Sequence, residues 1–262
     1  MLRSLADGAL FGEVWGGGEP AVVALHGWRR THTDYAGVLG PAAPGGALAA
    51  VAPDLPGFGA TPPPPSAWGT DEYAAVVARL VERPPGAGPD AGRPEPVVVL
   101  GHSFGGRVAV TLAAARPELV RALVLTGAPL APRPGARHRP PAAFRLVRAL
   151  RRAGLVSEWR LERARRRFGS ADYRAAEGVM RQVLVRLLVE DYGPALRSLR
   201  CPVELVWGED DAEAPLAAAE WVQGVVPRAS LTVCPGAGHL TPLTAPGQLR
   251  AAVDRAIGAA AP

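Results

Sequence analysis

Lysine and asparagine are absent from this 262-residue chain, isoleucine occurs once, at Ile257, and cysteine occurs twice. Each shortage narrows the reading. All 29 basic side chains are arginine, and glycine (31) and proline (28) are abundant, a composition that points to GC-rich coding. The formal net charge of +5 is therefore weak evidence for a nucleic-acid partner. Cys201 and Cys234 are far apart, match no metal-ligand spacing, and each sits beside a predicted strand, where a buried reduced thiol is expected. No segment approaches the roughly 18 uninterrupted apolar residues of a membrane span. The opening MLRSLADGALFGEVWGGG has no sustained apolar core. The expectation is a soluble, cytoplasmic chain with no membrane span, nucleic acid, metal or cofactor, its oligomeric state open between monomer and homodimer.

What the chain does have is alternation. Short apolar runs recur at 21–27, 47–54, 96–103, 122–129, 203–210 and 230–236, each brief and continuous enough for a strand buried on both faces of a parallel sheet. Helical patterns at about 71–83, 104–116, 215–226 and 246–259 lie among them. Strand and helix in turn imply an α/β, mostly parallel, doubly wound sheet. The alternation stops after TGAPL and resumes near Cys201, a gap too long for an ordinary connection. FRLVRALRRAGL, SEWRLERARRRF and YRAAEGVMRQVLVRLLVEDYG fill it with apolar residues at helical intervals, so 130–197 reads as a helical insertion into a core of 1–129 and 198–262. Residues 133–186 carry 15 arginines against four acids, the common mark of solvated helix faces. The proline-rich stretches 61–68 and 82–96 read as loops within the domain.

One turn carries chemistry. VVVLGHSFGGRVAV runs from an apolar strand into a helix through Gly101-His102-Ser103-Phe104-Gly105, which matches G-x-S-x-G in the strand–turn–helix context that gives the motif meaning. A serine hydroxyl needs a general base and an acid to orient that base. His239, in GAGH after the last strand, is the best base. The acid comes from WGEDD, as Asp210 or Asp211. His26 and His102 lie beside strand ends, where backbone shaping or packing is the expected job, and His32 and His138 fall in loops with no strand to fix them.

With LHGW, DLPGFG, GHSFGG, WGEDDAEAP and GAGH in this order over almost the full length, the chain resembles α/β-hydrolase fold enzymes. The resemblance implies a chain order of nucleophile, acid and histidine, and its pattern W-G-x-x-D-x-x-x-P selects Asp211. It also implies that the backbone N–H groups of Trp28 and Phe104 receive the oxyanion, and that the inserted helices form a cap over the nucleophile. Trp28, Phe144 and Trp159 are the candidate pocket side chains, while Asp54 is expected to hold a loop. Serine at 103 excludes the aspartate-nucleophile branches of the fold. What remains is an acyl-serine route to an ester, lactone or thioester, with carbon–carbon bond hydrolysis, acyl transfer or a slow-turnover receptor as alternatives. An arginine-rich cap would favour anionic substrates, such as a carboxylated ester or a carrier-bound acyl chain.

Overall fold

The computed structural model describes residues 2–86, 95–132, 149–151, 153–157, 159–160 and 171–259. Among them eight strands form one sheet in the order β1-β2-β4-β3-β5-β6-β7-β8. The strands are β1 (Leu2–Leu5), β2 (Leu10–Trp15), β3 (Val22–Leu25), β4 (Ala50–Asp54), β5 (Val97–His102), β6 (Val120–Thr126), β7 (Val203–Gly208) and β8 (Ala229–Cys234). β3 to β8 run parallel, and β1 and β2 pair antiparallel at one edge. The six apolar runs correspond to β3 through β8. The two edge strands were not expected from the sequence, because Gly12 interrupts the apolar pattern of β2; a β-carbon there would meet the Ala52 carbonyl oxygen of β4 at 2.2 Å.

The helices are α1 (Ala36–Leu39), α2 (Thr70–Glu82), α3 (Phe104–Ala115), α4 (Ala171–Ala175), α5 (Gly178–Leu187), α6 (Gly193–Ser198), α7 (Leu216–Val225), α8 (Thr241–Thr244) and α9 (Pro246–Gly258). Period-two side-chain alternation divides each central strand between two cores. Val23, Leu25, Val99, Leu123 and Leu205 pack under α2, α3 and α7. Val22, Ala24, Val98, Leu100 and Val124 pack under α1 and α9. Both cysteines are buried and free.

Helices α4 to α6 occupy the stretch between β6 and β7. The helical pattern read at 173–193 is interrupted: α4 ends at Ala175, α5 runs from Gly178, at φ +50°, to Leu187, and α6 begins only at Gly193. Of the stretches 144–155 and 157–168, only 149–151, 153–155, 157 and 159–160 are among the described residues. The end of this region is tied to the core by a cap supplied from a distance. Gly69 stands at the N-terminus of α2 without a side chain to cap it, and the Glu190 carboxylate accepts the Thr70 N–H at 3.1 Å and the Thr70 hydroxyl at 2.8 Å.

The sheet order places the switch point between β3 and β5: from β3 the chain goes first to β4 on one side, then to β5 on the other. Crevices at such points, at the carboxyl ends of the strands, are where open α/β sheets bind ligands. Both strands end there in chemistry-bearing turns, His26-Gly27-Trp28 and His102-Ser103-Phe104. α3 crosses β3 so closely that a β-carbon on Gly105 would lie 1.9 Å from the Leu25 carbonyl oxygen and 2.8 Å from that of His26, both rigid backbone atoms. The Gly105→Ala variant is therefore expected to lose about 2–3 kcal/mol of stability or more, read as a lowered denaturation midpoint. An unchanged midpoint would contradict this close crossing.

Candidate active site

Ser103 sits between β5 and α3 at φ +50°, ψ −110°, a left-handed backbone conformation that a non-glycine residue adopts only when its surroundings enforce it. The enforcing contacts are local. The Ser103 N–H donates to the Thr126 carbonyl at 2.9 Å, and the Gly105 N–H to the His26 carbonyl at 3.0 Å. A β-carbon on Gly101 would strike Gly106 Cα at 2.6 Å, so the turn closes only over glycine. The result lifts the Ser103 hydroxyl out of the strand line at the head of a twelve-residue helix.

His239 follows β8, and its Nε2 lies 3.1 Å from Ser103 Oγ. Its Nδ1–H donates to Asp211, 2.9 Å from Oδ2 and 3.0 Å from Oδ1, which leaves the Nε2 lone pair facing the hydroxyl. Asp211, just past β7, is buried, and its Oδ1 also accepts the N–H groups of Glu213 (2.9 Å) and Ala214 (2.8 Å). Burial alone would push this carboxyl up, but the hydrogen bonds from His239, Ala214 and Glu213 outweigh it and hold it below its ordinary value. Asp210 is exposed. For His239, burial works against the charged ring. The hydrogen bond and charge of Asp211, then the charges of Glu213 and Asp172, outweigh it and raise the imidazole above 6.5.

Two other histidines are neutral braces. His26 donates Nδ1–H to the Gly27 carbonyl at 2.8 Å and accepts the Leu55 N–H on Nε2 at 2.9 Å, so one tautomer ties the end of β3 to the turn after β4. Burial depresses it to about 4. His102 donates Nε2–H to the His239 carbonyl at 2.9 Å, bracing the loop that carries the base. Burial, then the nearby His239, take it also to about 4. His32, expected to be unfixed, is held instead by Asp54, whose Oδ1 accepts both the His32 N–H and its Nδ1–H at 2.8 Å. Asp54 Oδ2 accepts the Ala60 N–H, which closes the DLPGFG turn. His138 lies outside the described residues.

Phe104 is the first residue of α3, so its N–H has no intrahelical acceptor. Among the described residues neither it nor the Trp28 N–H is spent on a loop or cap bond. A β-carbon on Gly27 would fall 3.3 Å from Ser103 Cβ, which measures how closely the Trp28 turn approaches the hydroxyl. The Trp28 indole stacks edge-on with Phe58 (4.9 Å) and Phe104 (5.7 Å) and packs against the cluster of Tyr173 in α4, Ala176 just after it and Leu184 in α5. Phe58 and Tyr173 were not singled out in the sequence: Phe58 stands in DLPGFG, which was read only as a turn, and Tyr173 stands in no motif. Trp159 is 65% exposed and is not part of this cluster, and Phe144 lies outside the described residues. A cavity of about 290 Å³ lies at the opposite, amino ends of β3 and β5, lined by residues such as Glu19, Ala21, Val97 and Arg121, away from all of these groups. Among the described residues no cluster of three or more His, Cys, Asp or Glu side chains converges as a metal-ligand set, and no helix is long and apolar enough to cross a membrane.

Comparisons with known proteins place the fold in a family. A model of the family described as "Alpha/beta hydrolase family" matches residues 22–252. A pimeloyl-[acyl-carrier protein] methyl ester esterase from Aromatoleum aromaticum is 32% identical, covering 87% of this chain and 94% of its own length. Among solved structures, a thermophilic esterase from Thermogutta terrifontis superposes with a TM-score of 0.67 at 22% identity, covering 97% of this chain and 96% of its own. A bromoperoxidase from Bacillus anthracis reaches 0.71 at 18% identity, covering 99% and 100%. At such identities the structural likeness is one of fold.

The histidines separate by environment, and ring-proton NMR reads them individually. His239 is expected to titrate above 6.5, and His26 and His102 near 4. Asp211→Asn removes the main charge favouring the imidazolium and lowers the His239 midpoint. A His239 midpoint below 6.5 in the native protein would contradict the assignment of its partners.

Proposed function

We propose, for a chain that belongs to the alpha/beta hydrolase family and is a hydrolase of that fold, that Ser103, His239 and Asp211 cleave a carboxylic ester, lactone or thioester of a small, largely apolar molecule. The observation that carries the reading is the hydrogen-bond chain Asp211–His239–Ser103, ending on a hydroxyl held at a left-handed elbow.

His239 Nε2 takes the Ser103 proton as Oγ bonds to the substrate carbonyl carbon. The carbonyl oxygen becomes an oxyanion that accepts the N–H groups of Phe104 and Trp28, at the positive end of α3. Loss of one such donor in other hydrolases costs on the order of 10²–10³ in rate. The tetrahedral carbon then releases the alcohol or thiol, whose oxygen or sulfur takes the proton from Nε2. Water repeats the sequence: its proton goes to Nε2, its oxygen bonds to the acyl carbon, and the acyl–Oγ bond breaks as Oγ is reprotonated. Asp211 holds Nδ1–H throughout and stabilises the imidazolium. The ring system of Trp28, Phe58 and Phe104 is the apolar wall for the acyl group, and residues 130–197 act as a cap over a core of 1–129 and 198–262.

A second reading concerns the acyl portion. The arginine excess of residues 133–186 and the pimeloyl-[acyl-carrier protein] ester named as substrate of the Aromatoleum relative both favour an acyl chain that carries, or is presented on, negative charge. Carboxylated and neutral acyl groups of equal length, compared at low and high salt, separate the two. Steady turnover of a generic nitrophenyl ester is expected, with a fluorophosphonate labelling the native protein and not Ser103→Ala, whose turnover falls by about 10⁴-fold or more. A folded native protein that resists the probe sinks the reading; a single burst followed by arrest favours a slow-turnover receptor.

A further inference from the structure

Glu213 occupies a variable position of WGEDDAEAP, yet its carboxylate lies against the reacting face of the base. Glu213 Oε2 is 3.5 Å from His239 Nε2, the same nitrogen that faces Ser103 Oγ, while Asp211 occupies the opposite nitrogen. The two carboxylates bracket one imidazole. They differ in their surroundings: the Asp211 side chain is fully buried, and that of Glu213 is 70% exposed. The base of Glu213 is nevertheless fixed, because its N–H is bound to Asp211 Oδ1.

Compensation is also unequal. Asp172, the other carboxylate whose charge reaches His239, lies 3.8 Å from the Arg29 guanidinium. For Glu213, no arginine among the described residues forms an ion pair, and its partner is His239 itself. The mouth of the site thus carries a negative charge on the side where Nε2 operates.

That side is where the leaving group must stand. To take the proton from Nε2 the departing oxygen has to come within about 3 Å of it. Substituents on that oxygen then lie a few ångströms from Glu213. We propose that Glu213 is a specificity-determining residue that selects neutral and cationic leaving groups over anionic ones. The inference rests on the reading of Ser103 and His239 given above. A unit charge about 6 Å from an exposed carboxylate changes binding by roughly 3- to 10-fold at low ionic strength, and salt erodes the effect.

The test uses three esters with one acyl group and isosteric alcohols: a trimethylammonium alcohol, its neutral carbon analogue and a carboxylate analogue. For the native enzyme kcat/KM is expected to fall in that order, by about tenfold or more from first to last, with the spread narrowing at high salt. Glu213→Gln should collapse the order and Glu213→Arg should invert it, with the neutral ester reporting in each variant whether the site is still assembled. A native enzyme that turns over all three equally, or a Glu213→Gln variant that keeps the native order, overturns the role of Glu213 and leaves the serine chemistry standing. Failure of the native enzyme on all three removes both.

Discussion

The backbone of Ser103 is the constraint on which the site depends. A non-glycine residue at φ +50°, ψ −110° costs on the order of 1–3 kcal/mol, and it persists because both flanks are over-determined. The strand before it is the central β5, paired on both sides by β3 and β6. The helix after it is pressed onto β3 through Gly105. Relaxing the elbow would mean losing the Thr126 and His26 carbonyl contacts together with the packing of α3. The same geometry that strains the serine leaves the first N–H of α3 unspent beside it, so the nucleophile and an anion-binding donor arise from one turn.

Around this elbow the protein uses one residue type for different tasks, set by burial and partners. His26 and His102 are sealed in and stay neutral, each with its hydrogen bonds fixing a single tautomer. His239 is less buried and flanked by carboxylates, so its charged form is favoured. His102 joins the two groups: it sits one residue before the serine and holds the carbonyl of the base. A shift of the His239 loop is thereby coupled to the nucleophile turn.

Much of this was legible in the sequence. Continuous apolar runs gave β3 to β7 because those strands are buried almost throughout on both faces, whereas β8, at the other edge of the sheet, is only partly buried and carries Ser230 and Thr232. Ser103, Asp211 and His239 stood out because each follows one of those runs. The edge strands were hidden by their length and by Gly12, and the breaks between α4, α5 and α6 by an apolar period that continues through Gly178. Asp54 was read as holding a loop, as its bond from the Ala60 N–H shows, but its partner His32 was not foreseen, since the fold alone brings the two together at the end of β4. Glu213 carried no signal at all: its importance lies in the direction of one exposed side chain from a turn that Asp211 organises.

The sequence puts an arginine-rich segment between β6 and β7, and the structure puts a carboxylate beside Nε2. Both matter only if Ser103 becomes acylated. The most direct measurement is rapid acid quenching during turnover of an ester with a slowly hydrolysed acyl group, followed by peptide mass spectrometry. The account predicts that the peptide containing Ser103 gains the mass of the acyl group, transiently in the native enzyme and not in Ser103→Ala. Steady turnover with no acylated peptide, or with the acyl group on another residue, would contradict it.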